Sequence, residues 1–232
     1  MIDTAPEEHD PPTHLWLVRH GQAVVNVQPI VGGPKGDTGL TELGVRQAER
    51  LRDRLARSGE IKPDVLIAST LPRARQTAEI IAPAFGEGFP ILFDDDVQEL
   101  RVGPEADGLS VDEFTRRFGR VDLRADPFAR VDPGGESWAL FALRVCTALD
   151  RIAREQAGKT VVVVCHGGVI DVAFLHFFGM ATNALPAVSL YTRNCSLTHW
   201  VRLWDHKAMR WRLMGYNDTA HYPDPDTGIP PG

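Results

Sequence analysis

A run of four valines, Val161 to Val164, constrains the fold of this chain more than any other stretch. A continuous apolar run of this kind is typical of a central parallel strand that is buried on both faces. The run ends in Cys165-His166-Gly167-Gly168, and a helical pattern follows it. Since a strand buried on both faces needs helices on both sides of its sheet, the sequence predicts an α/β fold.

The same design occurs near the start of the chain. The apolar run Leu15-Trp16-Leu17-Val18 ends abruptly in Arg19-His20-Gly21. Open α/β sheets bind their ligands at the carboxyl edge of the strands, so both histidines are predicted to lie where ligands bind. An Arg-His pair at a strand end is more often an ordinary surface pair, and its meaning therefore depends on partners elsewhere in the chain.

Two further strands are predicted to end in functional side chains. The apolar segment from Asp64 to Ala68 precedes Arg73, which lies at a strand-to-helix junction because Pro72 suits the first turn of a helix. The segment from Pro90 to Phe93 is followed by Glu99. Because the carboxyl ends of parallel strands lie along one edge of the sheet, we expect these polar side chains to converge on His20 and His166.

Composition sets the outer limits. The chain has 232 residues, of which 43% are hydrophobic and 24% are charged, which fits one large folded domain. The net charge of -6 argues against nucleic acid as a partner. Three cysteines without a C-x-x-C motif favour a reduced, cytoplasmic protein. No apolar run approaches the roughly 20 residues of a membrane span, and no membrane partner is expected.

The predicted domain covers residues 14–215 and is flanked by tails at residues 1–13 and 216–232. We expect a three-layer α/β sandwich with a mostly parallel central sheet, helices on both faces and a late hairpin around Asp205 to Lys207. The irregular stretch from Arg120 to Gly135 is either a lid over the site or a plain surface excursion, and the second is the safer expectation. For the polar segment from Tyr216 to His221, an ordinary tail is favoured over a segment that folds back on the site.

The residue types at the four strand ends suit phosphoryl transfer. Arginines bind phosphate oxygens in a planar, forked geometry. One neutral imidazole can attack phosphorus, and a second, protonated imidazole can stabilise the oxygens of the group in transfer. A carboxylic acid can protonate the leaving oxygen and then activate water. His20, Arg19, Arg73, Glu99 and His166 together supply this set.

Several motifs, in order, resemble one known family. They are Arg19-His20-Gly21 with Asn26, Leu40-Thr41-Glu42-Leu43-Gly44 with Gln47-Ala48, Ser69-x-Leu71-x-Arg73-Ala74-x-Gln76-Thr77-Ala78, Gly135-Glu136-Ser137, and His166-Gly167-Gly168-Val169-Ile170. This pattern is similar to the histidine phosphatase superfamily, also called phosphoglycerate mutase-like, over residues 14 to 203. The resemblance implies the sandwich fold named above and an enzyme that needs no cofactor.

The resemblance also implies a role for each matching residue. His20 matches the nucleophile that becomes phosphohistidine, and Glu99 matches the usual general acid. Arg19, Arg73 and His166 match the phosphate pocket, and Asn26 matches a position that often lines it. Gly21, Arg101 and Gly167 complete the substrate-binding residues that we expect.

The sequence departs from the family pattern at three places. Ala23 stands where a hydroxyl residue is common. Arg101 replaces a residue that is commonly acidic, and it is either a third cation facing the substrate or a solvated surface arginine. The segment from Glu105 to Gly108 replaces a usual Trp-Glu-Gly, so an aromatic wall is missing. These positions, together with the irregular segment from Arg120 to Gly135, are expected to govern which phosphate ester is accepted.

Other phosphatase chemistries fit less well. Cys165 lacks the arginine that follows a catalytic thiol, since Asp171 occupies that position. Asp94-Asp95-Asp96 resembles the start of an aspartate-nucleophile motif, but Gln98 is the wrong residue type, and a solvated acidic turn is favoured. His20 and His166 have no nearby H-x-x-H or paired aspartates, so no metal is expected.

The sequence therefore predicts a metal-independent phosphomonoesterase that acts on a small phosphorylated substrate through a phosphohistidine at His20. A phosphoglycerate mutase-type phosphotransferase and a non-catalytic module that binds a phosphorylated ligand stay open as alternatives. A homodimer is possible from the family resemblance. Sugar phosphates, phosphoacids, nucleotide-like compounds and phosphoproteins all fit the residues as substrates.

Overall fold

The structure is a computed structural model that describes residues 11–186, 188–205 and 208–222. It contains one six-stranded sheet. The strands are β1 (Thr13–Arg19), β2 (Val65–Ser69), β3 (Ile91–Asp94), β4 (Thr160–Cys165), β5 (Leu197–Asp205) and β6 (Ala208–Asp218). Their order across the sheet is β3-β2-β4-β1-β5-β6.

The α-helices alternate with the first strands. They are α1 (Val24–Val27), α2 (Glu42–Ser58), α3 (Pro72–Ile81), α4 (Val111–Phe118), α5 (Trp138–Glu155) and α6 (Gly167–Phe177). As the sequence indicates, Thr41 caps α2 through its side chain and Pro72 begins α3. Within the described ranges, no helix is both long enough and apolar enough to cross a membrane.

The first four strands in chain order pair in parallel, and the last two are antiparallel additions. β4 lies between β1 and β2, and β3 is parallel to β2 at one edge. β5 runs antiparallel to β1 and to β6. The predicted α/β fold with a mostly parallel sheet is confirmed, and its central strand is the one that carries the valine run.

Two apolar cores lie on opposite faces of this sheet. Val161 and Val163 pack on the face covered by α5 and α6, together with Phe141, Leu149 and Ile170. Val162 and Val164 pack on the face covered by α2 and α3. Because successive side chains of a strand point to opposite faces, each half of the valine run fills one core. This double burial explains why the run contains no polar residue.

The sheet brings the predicted strand ends to one edge. Arg19 at the end of β1 is in register with Cys165 at the end of β4, and Ala68 in β2 pairs with Val164. His20 and His166 are therefore the next residues of two neighbouring strands. The amide of His20 donates a 3.0 Å hydrogen bond to the Cys165 carbonyl, which continues the sheet to the histidine itself.

The ordered chain continues past the expected boundary at residue 215. β6 runs to Asp218, and Tyr222 is buried at 1% exposure. At the other end, β1 begins at Thr13, whose side chain is buried. The centre of the predicted late hairpin, residues 206–207, and the outer parts of the two predicted tails, residues 1–10 and 223–232, lie outside the described residues.

The stretch from residue 120 to residue 135 contains no helix or strand. It is tethered through Asp132, whose carboxylate accepts hydrogen bonds from the amides of Gly103, at 2.9 Å, and of Gly134, at 3.0 Å. Asp132 is 4% exposed. This stretch is therefore an irregular excursion anchored by a buried carboxylate.

Gly44 in the first turn of α2 packs directly against the backbone that follows His20. A Cβ atom there would collide with the Gln22 carbonyl, whereas a Cβ atom at Gly215 in β6 would meet nothing within 4 Å. We predict that Gly44→Ala lowers the free energy of unfolding by about 2 kcal/mol, as overpacking does, whereas Gly215→Ala leaves it nearly unchanged. Urea denaturation of both variants measures this. Equal stability of the two variants would contradict the packing described.

Candidate active site

His20 is a buried imidazole held by two directed contacts. It is 3% exposed. Its Nδ1 lies 2.7 Å from the Gly21 carbonyl oxygen, and its Nε2 lies 3.1 Å from the Nε of Arg73. A carbonyl oxygen can only accept and a guanidinium N–H can only donate, so the proton is assigned to Nδ1 and the lone pair to Nε2. The ring therefore presents its Nε2 lone pair to the cationic side of the site, where it accepts the hydrogen bond of Arg73.

The surroundings of His20 keep it neutral. Burial, and then the positive charges of Arg73 and Arg19, hold its pKa well below the ordinary value of 6.5. Each of these causes penalises the charged imidazolium and leaves the neutral ring favoured. A neutral imidazole with one unprotonated nitrogen is the form of histidine that acts as a nucleophile.

Arg73 is fixed by a carboxylate that the sequence analysis missed. Its Nη1 lies 2.8 Å from the Oδ2 of Asp37, and its backbone amide donates to the same oxygen at 3.2 Å. The side chains are only 5% and 0% exposed. Asp37 comes from the glycine-rich loop, where a single aspartate gives no local signal of a partner 36 residues away.

The glycine-rich loop between His20 and α2 is braced by a second buried carboxylate. Asp107 accepts hydrogen bonds from the amides of Gly33, Lys35 and Gly36 at 2.7–2.9 Å. These amides are thereby occupied and do not form an open phosphate cradle. The bracing holds the Gly32 carbonyl 3.4 Å from the Nη1 of Arg73, so the loop helps to position that arginine.

His166 lies beside His20 and is completely buried. The two ring centroids are 5.1 Å apart, and the Nε2 of His166 lies 2.8 Å from the Ser69 hydroxyl. Its Nδ1 has no hydrogen-bond partner among the described residues. Burial, followed by the charges of Arg73, His20 and Arg19, holds the pKa of His166 well below 6.5. The expected protonated form of this ring thus requires an anion in the site.

Arg19 is anchored on one side and unpartnered on the other. Its Nη1 donates a hydrogen bond to the Thr192 carbonyl. Its Nε is buried without a partner in the part of the chain described. A Cβ atom at Gly167 would lie 3.7 Å from this Nε, so the start of α6 faces it. Arg19 therefore keeps a donor for a ligand at the edge of the sheet.

Glu99 reaches the same place from the loop after β3. Its Oε2 accepts a 3.0 Å hydrogen bond from the Gly168 amide, and its Oε1 accepts one from the Leu100 amide at 3.0 Å. Any side chain at Gly168 would collide with Oε1. Gly168 is thus required for the Glu99 carboxyl group to lie at the start of α6.

Three of the expected binding residues make other contacts in this structure, and their role toward a substrate stays a prediction. Asn26 is exposed, and its Oδ1 accepts a 2.9 Å hydrogen bond from the amide of residue 23. Arg101 donates to the side chain of Gln98 and to the Asp95 carbonyl. Gly21 donates its amide to the Thr77 hydroxyl at 3.0 Å. Neither Asn26 nor Arg101 has a hydrogen bond to the histidine cluster.

Residues 216–222 pack against the fold, whereas the sequence favours an ordinary tail for Tyr216 to His221. Asn217 donates a 2.8 Å hydrogen bond to the Tyr191 carbonyl and accepts one of 2.7 Å from the Arg193 amide. Next to them, Asn194 donates a 2.9 Å hydrogen bond to the His20 carbonyl. The end of β6 therefore holds the segment that contacts both Arg19 and His20. These pairings depend on β6 lying beside residues 191–195, which local sequence does not show.

A second carboxyl group, Asp171, lies one turn into α6. Burial, and then the negative charge of Glu99, raise its pKa to about 7, against an opposing effect of Arg19. In the sequence, Asp171 stands out only because it occupies the position at which a cysteine phosphatase has its arginine.

The structure also shows the surroundings of the residues that the alternative phosphatase chemistries would need. Cys165 is fully buried in β4, and burial raises the pKa of its thiol. A thiol held protonated in this way is a poor nucleophile. Over the described residues, no group of three or more His, Cys, Asp or Glu side chains is placed to hold a metal ion.

The buried pair of Asp37 and Arg73 gives a direct stability test. Asp37→Asn keeps the shape of the side chain but leaves Arg73 as an uncompensated buried charge, so we predict a loss of about 3 kcal/mol in the free energy of unfolding. Asp53→Asn, in an exposed pair with Arg52, should change it by less than about 0.5 kcal/mol. Urea denaturation measures both. A loss for Asp37→Asn as small as for Asp53→Asn would contradict the pairing.

Comparison with known proteins identifies relatives of this chain. The family model of the histidine phosphatase superfamily (branch 1) matches residues 15–219. A probable phosphoglycerate mutase GpmB of Erwinia tasmaniensis is 32% identical over 219 residues, which cover 90% of this chain and 95% of that protein. A protein of the same name from Yersinia pestis is 30% identical and covers 89% and 94% of the two chains.

Solved structures share the fold. Bacillus stearothermophilus YhfR superposes with a TM-score of 0.73 at 27% identity, covering 90% of this chain and 98% of that one. A mycobacterial glucosyl-3-phosphoglycerate phosphatase in complex with VO3 gives a TM-score of 0.69 at 27% identity, with coverages of 88% and 98%. The family match spans both histidines, both arginines and Glu99. The chain belongs to the histidine phosphatase superfamily, branch 1.

Proposed function

We propose that this protein is a metal-independent phosphomonoesterase that works through a phosphohistidine on His20. The observation that carries the proposal is the state of His20: a neutral ring whose Nε2 lone pair lies 3.1 Å from the guanidinium of Arg73. A phosphate ester bound here would accept the Arg73 hydrogen bond in place of Nε2. Its phosphorus would then lie next to a nucleophile that needs no deprotonation. The superfamily membership supports the same chemistry.

In the first step, Nε2 of His20 attacks phosphorus and the bond to the leaving oxygen breaks. Arg73 and Arg19 would bind the phosphoryl oxygens, since Arg19 has an unpartnered Nε. His166 would gain a proton and a partner when the dianion enters and offsets the neighbouring cations. Glu99, in its acid form, would give its proton to the leaving oxygen.

In the second step, Glu99 is a carboxylate and takes a proton from water. The water oxygen attacks the phosphorus of phosphohistidine, the P–N bond breaks, and His20 returns to its neutral form. The hydrogen bond from the Gly168 amide keeps the carboxylate at the start of α6 through both steps. One carboxyl group thus serves as acid and then as base.

A mutase is the second candidate, because the relatives at 30–32% identity are named probable phosphoglycerate mutases. It would use the same phosphohistidine but return the phosphate to a bound phosphoacid. Against it, Gly167-Gly168-Val169 follows His166. The family resemblance implies that glycolytic mutases usually have Gly-Asn-Ser at this place. Interconversion of 2- and 3-phosphoglycerate without net phosphate release would favour the mutase.

The test is phosphate release from a broad panel of phosphomonoesters in EDTA. We expect the wild-type protein to be active on the panel, and His20→Ala to lose at least about 10³-fold in kcat/KM because the nucleophile is gone. His176→Ala is a matched control, since that ring contacts Asp150 at 2.8 Å on the far end of α6. It should retain activity.

Robust turnover by His20→Ala, or loss of activity on chelation, would overturn the proposal. Binding of phosphate esters without turnover by the wild-type protein would instead favour the non-catalytic module.

A further inference from the structure

Asp171 is a carboxyl group near the site that neither the two-step chemistry nor the bracing of the loops uses. It follows Gly168 by three positions and Gly167 by four, so all three lie on one face of α6. Helical side chains point back toward the helix N-terminus. The Asp171 side chain is therefore directed over two residues that have no side chain, toward the space between Glu99 and Arg19.

The charges around Asp171 agree with this placement. Glu99 and Arg19 both act on its ionisation, with opposite signs, and its charge acts in turn on the Tyr216 phenol. Glu99 lies at the start of α6, Arg19 at the end of β1, and Tyr216 in β6. Asp171 thus faces the side of the site from which Glu99 would protonate the leaving group.

The buried polar atoms without a hydrogen-bond partner indicate which polar groups a ligand must carry. Arg19 Nε, a donor, and His166 Nδ1 have no partner among the described residues, and both suit phosphoryl oxygens. Asp171 Oδ1 is also buried without a partner, but a carboxylate oxygen accepts hydrogen bonds. The residue as a whole is only partly buried, so its carboxyl group lies at the border of the open site. One end of the site suits an anion, and the other suits a hydroxyl or ammonium group.

Arg19 is the cation that acts on the charge of Asp171, and its Nη1 is engaged by the Thr192 carbonyl. Arg101, one of the expected substrate-binding residues, donates to Gln98 and to the Asp95 carbonyl and lies 3.9 Å from the Asp96 carboxylate. Arg144 is paired with Glu136 at 2.7 Å. Both arginines near the Glu99 loop are therefore engaged by other groups.

We propose that Asp171 makes the leaving-group side of the site acidic, so that the enzyme prefers phosphate esters of neutral or cationic alcohols over esters whose leaving group carries a carboxylate. The inference rests on the proposed function and names its substrate class. A carboxylate on the leaving group would meet the ionised carboxylate of Asp171 as a like charge in a partly desolvated site. A hydroxyl or ammonium group would instead meet an unused acceptor.

Two matched substrate pairs test this without any variant. Glycerol 3-phosphate and 3-phosphoglycerate differ by a hydroxymethyl group in place of a carboxylate, and phosphoethanolamine differs from phosphoserine by the absence of the carboxylate. At about pH 8, where Asp171 is ionised, we expect kcat/KM to favour the compound without the carboxylate by at least about tenfold in both pairs. At about pH 6 the preference should shrink, because Asp171 is then largely protonated.

Asp171→Asn keeps the size of the side chain and removes the charge. We expect it to raise kcat/KM for 3-phosphoglycerate relative to glycerol 3-phosphate by about tenfold at about pH 8 and to remove the pH dependence of the preference. Asp53→Asn is the surface control and should behave as wild type. Asp171→Ser, which also lacks the charge, should give the same loss of preference and serves if the asparagine variant is unstable.

Three outcomes would overturn the inference. A wild-type preference for the carboxylate-bearing compounds, equal turnover within both pairs, or an equal change for both members in the uncharged variants would show that Asp171 does not select substrates. In all three cases phosphate is released, so the proposed function stands. Absence of phosphate release from every ester would overturn the proposed function and this inference together.

Discussion

The contact between the Arg73 guanidinium and the Nε2 of His20 is the interaction on which the site depends. It places a cation against a neutral imidazole in the protein interior, and the cation itself must be compensated. Asp37 provides that compensation at 2.8 Å, and both charged side chains are almost fully buried. A buried pair of this kind gives little net stability but is costly to break, so it fixes geometry rather than adding to the fold's stability.

The loops around the sheet edge serve this contact. Asp107 holds the glycine-rich loop that supplies Asp37, and Asn217 holds the segment of residues 191–195 that anchors Arg19 and the His20 backbone. The sheet sets the positions of the two histidines, since β1 and β4 are in register up to Arg19 and Cys165. Preorganised donors that converge before a substrate arrives are the arrangement that stabilises charge in a transition state.

The sequence predicts the fold and the residues placed by the strands, and it misses the hydrogen bonds that the loops make. The valine run and the segment before His20 are apolar because both faces of the central strands are covered, so the fold and the convergence of His20, Arg73 and His166 could be predicted. Asp37 and Asn217 could not, because each pairs with a residue that only the folded chain brings near. For Arg101 the sequence leaves two roles open, and the structure adds contacts with the acidic turn before it that residue type alone does not reveal.

The central claim is that a buried, neutral His20 is the nucleophile, and trapping its phosphorylated form tests this most directly. The enzyme is mixed at about pH 5.5 with a phosphate ester that it hydrolyses. The reaction is stopped in alkali, in which phosphohistidine survives, and the phosphorylated residue is located by mass spectrometry. Because burial and two arginines keep the pKa of His20 well below 6.5, we expect phosphate on His20 even at this pH. Phosphate on another residue, or turnover with no phosphoenzyme at this pH or at neutral pH, would contradict the account.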